Sequence, residues 1–153
     1  MAELKERLRA DLTTAIKARD TLRSSTLRMV LTAITNAEVA GKESRQLDDG
    51  QVVDVLATEV KKRREAATAY DDAGRVELAD KERAEAEVIT EYLPAQLSVD
   101  EIRAIVSDAV ESTGSAGQGM KAMGTVMGVV QPQVKGRADG ATVAAEVKRR
   151  LAG

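Results

Sequence analysis

The stretch Thr90–Glu101, "TEYLPAQLSVDE", decides the fold because it ends one helix and begins another within a few residues. Pro94 lacks an amide proton and biases Leu93 away from helical dihedrals, so the helix before it stops here. Ser98 and Glu101 have the spacing of a capping box, in which each side chain accepts a hydrogen bond from the other residue's amide. The stretch therefore separates two helical parts of the chain.

A domain boundary at this stretch gives an N-terminal domain over residues 1–94 and a C-terminal domain over residues 95–153. Apolar residues recur at helical spacing on both sides, and no run shows the strict alternation of a strand. About four helices are expected before the boundary, the last two forming a long antiparallel pair joined by a tight break at Gly74. Three shorter helices are expected after it. The sequence thus predicts an all-α fold, with an N-terminal helical bundle and a small C-terminal three-helix domain.

Capping residues predict where several helices begin and end. Asp20, one of the pair Asp48 and Asp49, and Asp139 are each placed to cap a helix N-terminus. Gly41 is placed to end the second helix in a left-handed cap.

The sixth predicted helix combines methionines with glycines. Gly124 and Gly128 each cost about 1 kcal/mol of helix propensity relative to alanine. Either close packing against a neighbouring helix or the approach of a partner's backbone is expected to offset that cost. The predicted inward face consists of Met120, Met123, Met127 and Val130.

Composition excludes several classes of function. The chain has no cysteine and no histidine, which removes disulfides, structural zinc and nucleophiles activated by histidine. Only Tyr70 and Tyr92 are aromatic, too few for the stacking platforms of proteins that bind single-stranded RNA. No apolar run suits a signal peptide or a membrane span, so we expect a cytoplasmic protein without membrane contact. We expect no catalytic residue, cofactor or metal.

The charged runs have an ordinary explanation as solvated helix surface. In "EVKKRREA", Glu59–Ala66, four successive cations wrap around a helix and cannot all face one ligand. The alternative keeps Lys62 and Arg64 for an RNA or protein partner. The carboxylates around Glu85 and Glu87 are likewise expected to be solvated rather than to form an acid–base pair.

The segment "KGRADG", Lys135–Gly140, invites two interpretations. Gly136 suits a left-handed helix end and Asp139 suits a cap, so a simple turn accounts for both. From Lys135 to the last residue, however, five cations stand against two acids in a chain whose net charge is −2. Phosphate contact by this basic region, without readout of bases, is therefore the second interpretation. The predicted nucleic-acid-binding residues are Lys121, Lys135, Gly136, Arg137, Lys148 and Arg149.

Three segments together resemble one known family: "LRADLTTAIKARDTLRSSTLRMVLTAITNAE", "EVKKRREAATAYDDAGRVELADKERAEAEVITEYLPAQLS" and "MGTVMGVVQPQVKGRADGATV". They cover nearly the whole chain, which looks like a YqeY-family protein, related to the C-terminal tail of the B subunit of tRNA-dependent amidotransferases. The motifs "EYLPAQLS" and "VKGRADG" are the most specific.

The resemblance implies a helical bundle followed by a three-helix domain akin to a module that helps the amidotransferase hold its tRNA. Carbon–nitrogen ligase activity could be attributed to this chain only by resemblance, since the sequence offers no residues for that chemistry. The first hypothesis is a non-catalytic accessory protein of tRNA metabolism whose partner is tRNA. The alternative is an adaptor that docks an amidotransferase or synthetase subunit. Amidation by the chain itself is a third hypothesis that no residue supports.

Overall fold

A computed structural model describes residues 2–153, and all regular secondary structure among these residues is helical, with no strand. Seven α-helices are joined by short loops, and a single 3₁₀ turn precedes the sixth. The helices are α1 Glu3–Lys17, α2 Thr21–Val39, α3 Asp49–Asp72, α4 Val76–Thr90, α5 Val99–Ser112, α6 Met123–Val134 and α7 Gly140–Ala152, and the 3₁₀ turn is Gly119–Ala122. The predicted all-α fold is confirmed.

Contacts within the chain divide it into two compact units, Met1–Leu93 and Pro94–Gly153. The N-terminal unit contains α1 to α4, and the C-terminal unit contains α5 to α7 with the 3₁₀ turn. Each unit has a separate hydrophobic core. The long helices α3 and α4 form the predicted antiparallel pair, and Gly74 in the turn between them has a φ of 75°.

The core of the N-terminal unit is built from aliphatic side chains spaced three or four residues apart on four helices. Its large, fully buried members are Leu8, Leu27, Val30, Ile34, Val52, Leu56 and Ile89. Tyr92 closes one side of this core, and its hydroxyl donates a hydrogen bond of 2.5 Å to Asp11 Oδ2. Burial and this bond raise the pKa of Tyr92 to about 12.

Two buried ion pairs correct the expectation that charged residues of this unit are solvated. Arg63 Nε lies 3.2 Å from Glu85 Oε2, and these side chains are only 9% and 6% exposed. Lys5 Nζ lies 2.7 Å from Glu38 Oε1, again with both side chains buried. The interpretation of Arg63 and Glu85 as solvated surface was wrong, because both face the interior between α3 and α4.

The C-terminal unit packs valines from three helices into one core. The side chains of Val106 and Val110 on α5 meet those of Val126, Val130 and Val134 on α6 and Val143 and Val147 on α7. The capping box of Ser98 and Glu101 is present, with bonds of 3.1 and 3.2 Å.

Of the other predicted helix caps, those at Asp20 and Asp48 are confirmed and the one at Gly41 is not. Asp20 caps α2, and Asp48 forms a capping box with Gln51 at the start of α3. Gly41 does not form the predicted left-handed cap, since α2 ends at Val39 and Gly41 lacks a positive φ.

The face of α6 predicted to lie inward is confirmed except at Met120. Met120 is 50% exposed, which contradicts the prediction. Met123 and Met127 are half-buried and pack against the core, and Val130 is fully buried beside Val126 and Val134. Met120 lies in the 3₁₀ turn, which has three residues per turn instead of 3.6. Its side chain therefore does not line up with the inward face of α6.

The glycines of α6 are exposed, so close packing inside the unit does not explain them. A Cβ built on Gly124 or on Gly128 meets no heavy atom within 4 Å. Alanine at each position should therefore stabilise the C-terminal unit by about 1 kcal/mol, because the helix gains propensity without a clash. Urea unfolding of Gly124→Ala and Gly128→Ala measures the gain.

A matched control for these variants is Gly136→Ala, because Gly136 has a φ of 73° and alanine is strained there. It should destabilise the unit. Loss of stability in the α6 variants would show that these glycines are required by the unit's own packing.

No helix within residues 2–153 combines the length and the apolar character needed to cross a membrane.

Candidate nucleic-acid interface

Charge is distributed unequally within the C-terminal unit. Helix α5 carries four of the unit's six acidic residues, Asp100, Glu101, Asp108 and Glu111, and one cation, Arg103. From Lys121 to the last residue there are six cations and two acids, a local charge of +4. The positive charge lies in the 3₁₀ turn, in the turn between α6 and α7 and on α7, and these parts attract a polyanion, whereas the acidic α5 repels it.

The six predicted binding residues separate into two groups. Helices α6 and α7 are joined by a short turn and pack together, so they run antiparallel, and the 3₁₀ turn packs against α7. Lys135, Gly136 and Arg137 form the turn group, at the start of α7. Lys121, Lys148 and Arg149 form the helix-end group, towards its other end. Because α7 has 13 residues, its ends lie about 20 Å apart.

The turn group is held by hydrogen bonds that the sequence does not suggest. The Arg137 carbonyl accepts a bond of 2.8 Å from the Leu97 amide, and Arg137 Nε donates one of 3.2 Å to the Ala95 carbonyl. Gln96 Nε2 donates to the Gly136 carbonyl at 3.0 Å. Sequence reasoning missed Gln96, since residues forty positions apart carry no spacing signal.

Asp139 does not make the predicted cap. It occupies the N-cap position of α7, but its side chain accepts no bond from a backbone amide of the helix. Instead, Asp139 Oδ2 accepts a bond of 3.4 Å from the Thr142 hydroxyl. The first amides of α7 thus lack a side-chain cap, but the Asp139 carboxylate remains at the N-cap position, so attraction of a phosphate here depends on Lys135 and Arg137.

The helix-end group contains exposed lysines and one arginine that is already paired. Arg149 Nε lies 3.0 Å from Glu146 Oε2, which also accepts a bond of 3.1 Å from Arg103 Nε. Lys121 and Lys148 are exposed, and neither forms an ion pair with another described residue. Of this group, the two lysines are the side chains most accessible to a phosphate.

The pKa of Glu146 is lowered from its ordinary value of 4.5 by the hydrogen bonds from Arg103 and Arg149. Because the folded state has the lower pKa, this carboxylate stabilises the unit above pH 4.5, and its contribution is lost as the pH falls through the folded value. The stability difference between the wild type and Glu146→Gln should therefore be larger at pH 7 than at pH 3. Urea unfolding at the two pH values measures it, with Glu111→Gln, an exposed glutamate, as the control. An equal stability difference at both pH values would contradict the lowered pKa of Glu146.

Comparison with known proteins identifies the family. The family model described as Yqey-like protein matches residues 5–151. The chain belongs to the YqeY-like family.

Relatives of this YqeY-like chain include three fungal proteins, each named "Altered inheritance of mitochondria protein 41, mitochondrial". The protein of Candida glabrata is 30% identical over 86 residues, 56% of this chain and 47% of the relative. The protein of Kluyveromyces lactis is 33% identical over 88 residues, 58% and 47% respectively. The protein of Pyrenophora tritici-repentis is 28% identical over 135 residues, 86% and 71% respectively. The chain spans about half the length of the two yeast relatives.

These names correct the prediction of a cytoplasmic location for the YqeY-like chain. The relatives are named as mitochondrial proteins, and this finding contradicts the predicted cytoplasmic location. The prediction was wrong because it relied on the lack of an apolar signal, whereas mitochondrial transit peptides are amphipathic and rich in arginine.

Within residues 2–153 of the YqeY-like chain, no group of three or more aspartate or glutamate side chains is arranged to hold a metal ion. The two cationic groups offer hydrogen-bond donors and positive charge, which suit contact with phosphates.

Proposed function

We propose that this chain is a non-catalytic accessory protein of tRNA metabolism that binds tRNA through the cationic side of its C-terminal unit. The proposal includes the division of the chain into two functional domains, residues 1–94 and 95–153. It links the chain, by family resemblance, to tRNA-dependent amidotransferases.

The observation that carries the proposal is the separation of charge in the C-terminal unit. The α5 helix is acidic, whereas the region from Lys121 onward has a charge of +4 in a chain of net charge −2. Contacts to phosphates provide most of the affinity of sequence-independent nucleic-acid binding. A charge concentrated on part of one small unit supports contact with a polyanion there.

The kind of contact follows from the residues that the unit lacks. Both tyrosines of the chain lie before residue 94, so the C-terminal unit has no aromatic side chain on which a base could stack. Proteins that bind single strands depend on such stacking. Binding through phosphates alone favours folded RNA, whose phosphates have fixed positions, and tRNA belongs to that class.

A second candidate function is a protein adaptor that docks an amidotransferase or synthetase subunit through the N-terminal unit. The observation in its favour is the start of α4, where Val76 is 58% exposed and Leu78 is 39% exposed. Exposed aliphatic side chains on a long helix pair suit a protein partner more than an RNA.

Purification of the tagged chain at low salt, with and without RNase, distinguishes the two functions. The proposal expects tRNA to dominate the sequenced RNA that copurifies with the chain, and to be lost in Arg137→Ala/Arg149→Ala. A protein complex that survives RNase, with no enrichment of tRNA, would favour the adaptor and contradict the proposal.

A further inference from the structure

The segment Pro94–Leu97 is fastened to the turn group by three hydrogen bonds. They join the Leu97 amide to the Arg137 carbonyl, Arg137 Nε to the Ala95 carbonyl, and Gln96 Nε2 to the Gly136 carbonyl. Gln96 Nε2 also donates to the Pro94 carbonyl at 2.8 Å. One glutamine thus bridges the segment that precedes α5 and the turn that precedes α7.

These bonds leave part of the Arg137 side chain available to a ligand. A guanidinium has five N–H donors in a rigid fork, and Arg137 uses only Nε for the Ala95 carbonyl among the described residues. Its two terminal amino groups can therefore meet a phosphate while Nε remains bonded. The bond to Ala95 restrains the guanidinium before the ligand arrives, which lowers the entropic cost of binding.

We propose that Gln96 is a positioning residue of the tRNA-binding turn. It holds the Gly136 carbonyl and so keeps Arg137 in the geometry that a phosphate meets, although Gln96 has no charge and contacts no phosphate. This inference rests on the proposed function and adds to it a residue outside the basic region.

Phosphate binding at Arg137 and the hydrogen bonds of the segment Pro94–Leu97 should favour each other. If the hydrogen-bonded state of this segment increases the affinity for phosphate, then bound phosphate stabilises the hydrogen-bonded state by the same free energy. The Leu97 amide reports this directly, because its hydrogen bond ends on the Arg137 carbonyl.

The variant Gln96→Ala tests the inference. One lost hydrogen bond should weaken tRNA binding about three- to tenfold. The salt dependence of the affinity should remain that of the wild type, because no cation is removed. The matched control is Gln133→Ala, since Gln133 Nε2 bonds only the Val129 carbonyl of its own helix. It should bind tRNA like the wild type.

The effect of bound tRNA on hydrogen exchange provides a second readout that a merely structural role would not change. The Leu97 amide should exchange more slowly when the wild type binds tRNA, and about tenfold faster in free Gln96→Ala than in the free wild type. A third variant, Arg137→Lys, keeps the charge but loses the planar fork. It should also lose affinity without a change in salt dependence.

The inference is overturned if Gln96→Ala binds tRNA like the wild type, or if bound tRNA leaves the exchange of the Leu97 amide unchanged. Absence of tRNA binding by the wild type at low salt overturns the proposed function and the coupling with it. In that case, exchange in the free protein still decides whether Gln96 holds the turn. The two failures are therefore distinguishable.

Discussion

The variant Arg63→Ala should lower the free energy of unfolding of the N-terminal unit by about 3–5 kcal/mol. Arg63 is buried between Glu85, at 3.2 Å, and Glu59, at 3.3 Å. Its removal leaves the Glu85 carboxylate in the interior, where the nearest remaining cation is Lys81 at 3.9 Å. Removing one partner of a buried pair costs more than the pair itself contributes, because the other charge stays desolvated. Urea unfolding followed by circular dichroism measures the loss.

The neighbouring residue provides a matched control for Arg63→Ala. Arg64 is exposed on the same helix, so Arg64→Ala should change the stability by less than about 0.5 kcal/mol. The double variant Arg63→Met/Glu85→Leu should recover most of the loss, because it removes both charges and keeps similar volumes. Equal effects of the two arginine variants would contradict the buried ion pair.

The variant Lys121→Ala/Lys148→Ala should weaken tRNA binding about 25- to 60-fold at 0.1 M salt. Each lost phosphate contact should reduce the salt slope by about 0.7 on single strands and 0.9 on duplexes, so the slope should fall by about 1.4 to 1.8. We expect both lysines to contact phosphates because they are exposed and form no ion pair with a described residue. Fluorescence anisotropy with labelled tRNA at several salt concentrations measures both quantities.

The control for this variant is Lys61→Ala/Lys62→Ala on α3, which removes the same charge from the N-terminal unit. It should leave the affinity within about twofold of the wild type, since α3 lies outside the proposed interface. If the control weakens binding as much as Lys121→Ala/Lys148→Ala, the interface is not confined to the C-terminal unit.

The sequence predicts the helices of this chain well because the decisive signals are local. Pro94, Ser98 and Glu101 act within one turn of backbone, and the capping box is formed as expected. In α7, likewise, apolar residues spaced four apart in the sequence, Val143, Val147 and Leu151, are the buried ones. Signals of this kind depend only on neighbours three or four residues away.

The buried arginine shows where local reasoning fails. Arg63 occupies the inward position between Val60 and Ala67 on α3, a signal that the sequence does contain. Its interpretation as surface followed from its charge, and its partner Glu85 lies 22 residues away on α4. Only the tertiary pairing of α3 and α4 shows that the two charges compensate each other in the interior.

The geometry of the candidate site, like the buried ion pair, depends on contacts between residues far apart in the sequence. Its cations were predicted from composition, but their division into a turn group and a helix-end group depends on how α6 and α7 pack. The bonds of Gln96 and Ala95 to the turn join residues about forty positions apart. No periodicity or cap relates such residues, so the positioning of Arg137 could not be predicted from the sequence.

The salt dependence of tRNA affinity for the wild-type chain tests the central claim most directly. Five cationic side chains that contact phosphates predict measurable binding at 50 mM salt and a slope of log affinity against log salt of about −3.5 to −4.5. No binding at 50 mM salt, or a slope near zero, would contradict the claim that the C-terminal unit binds tRNA through phosphates.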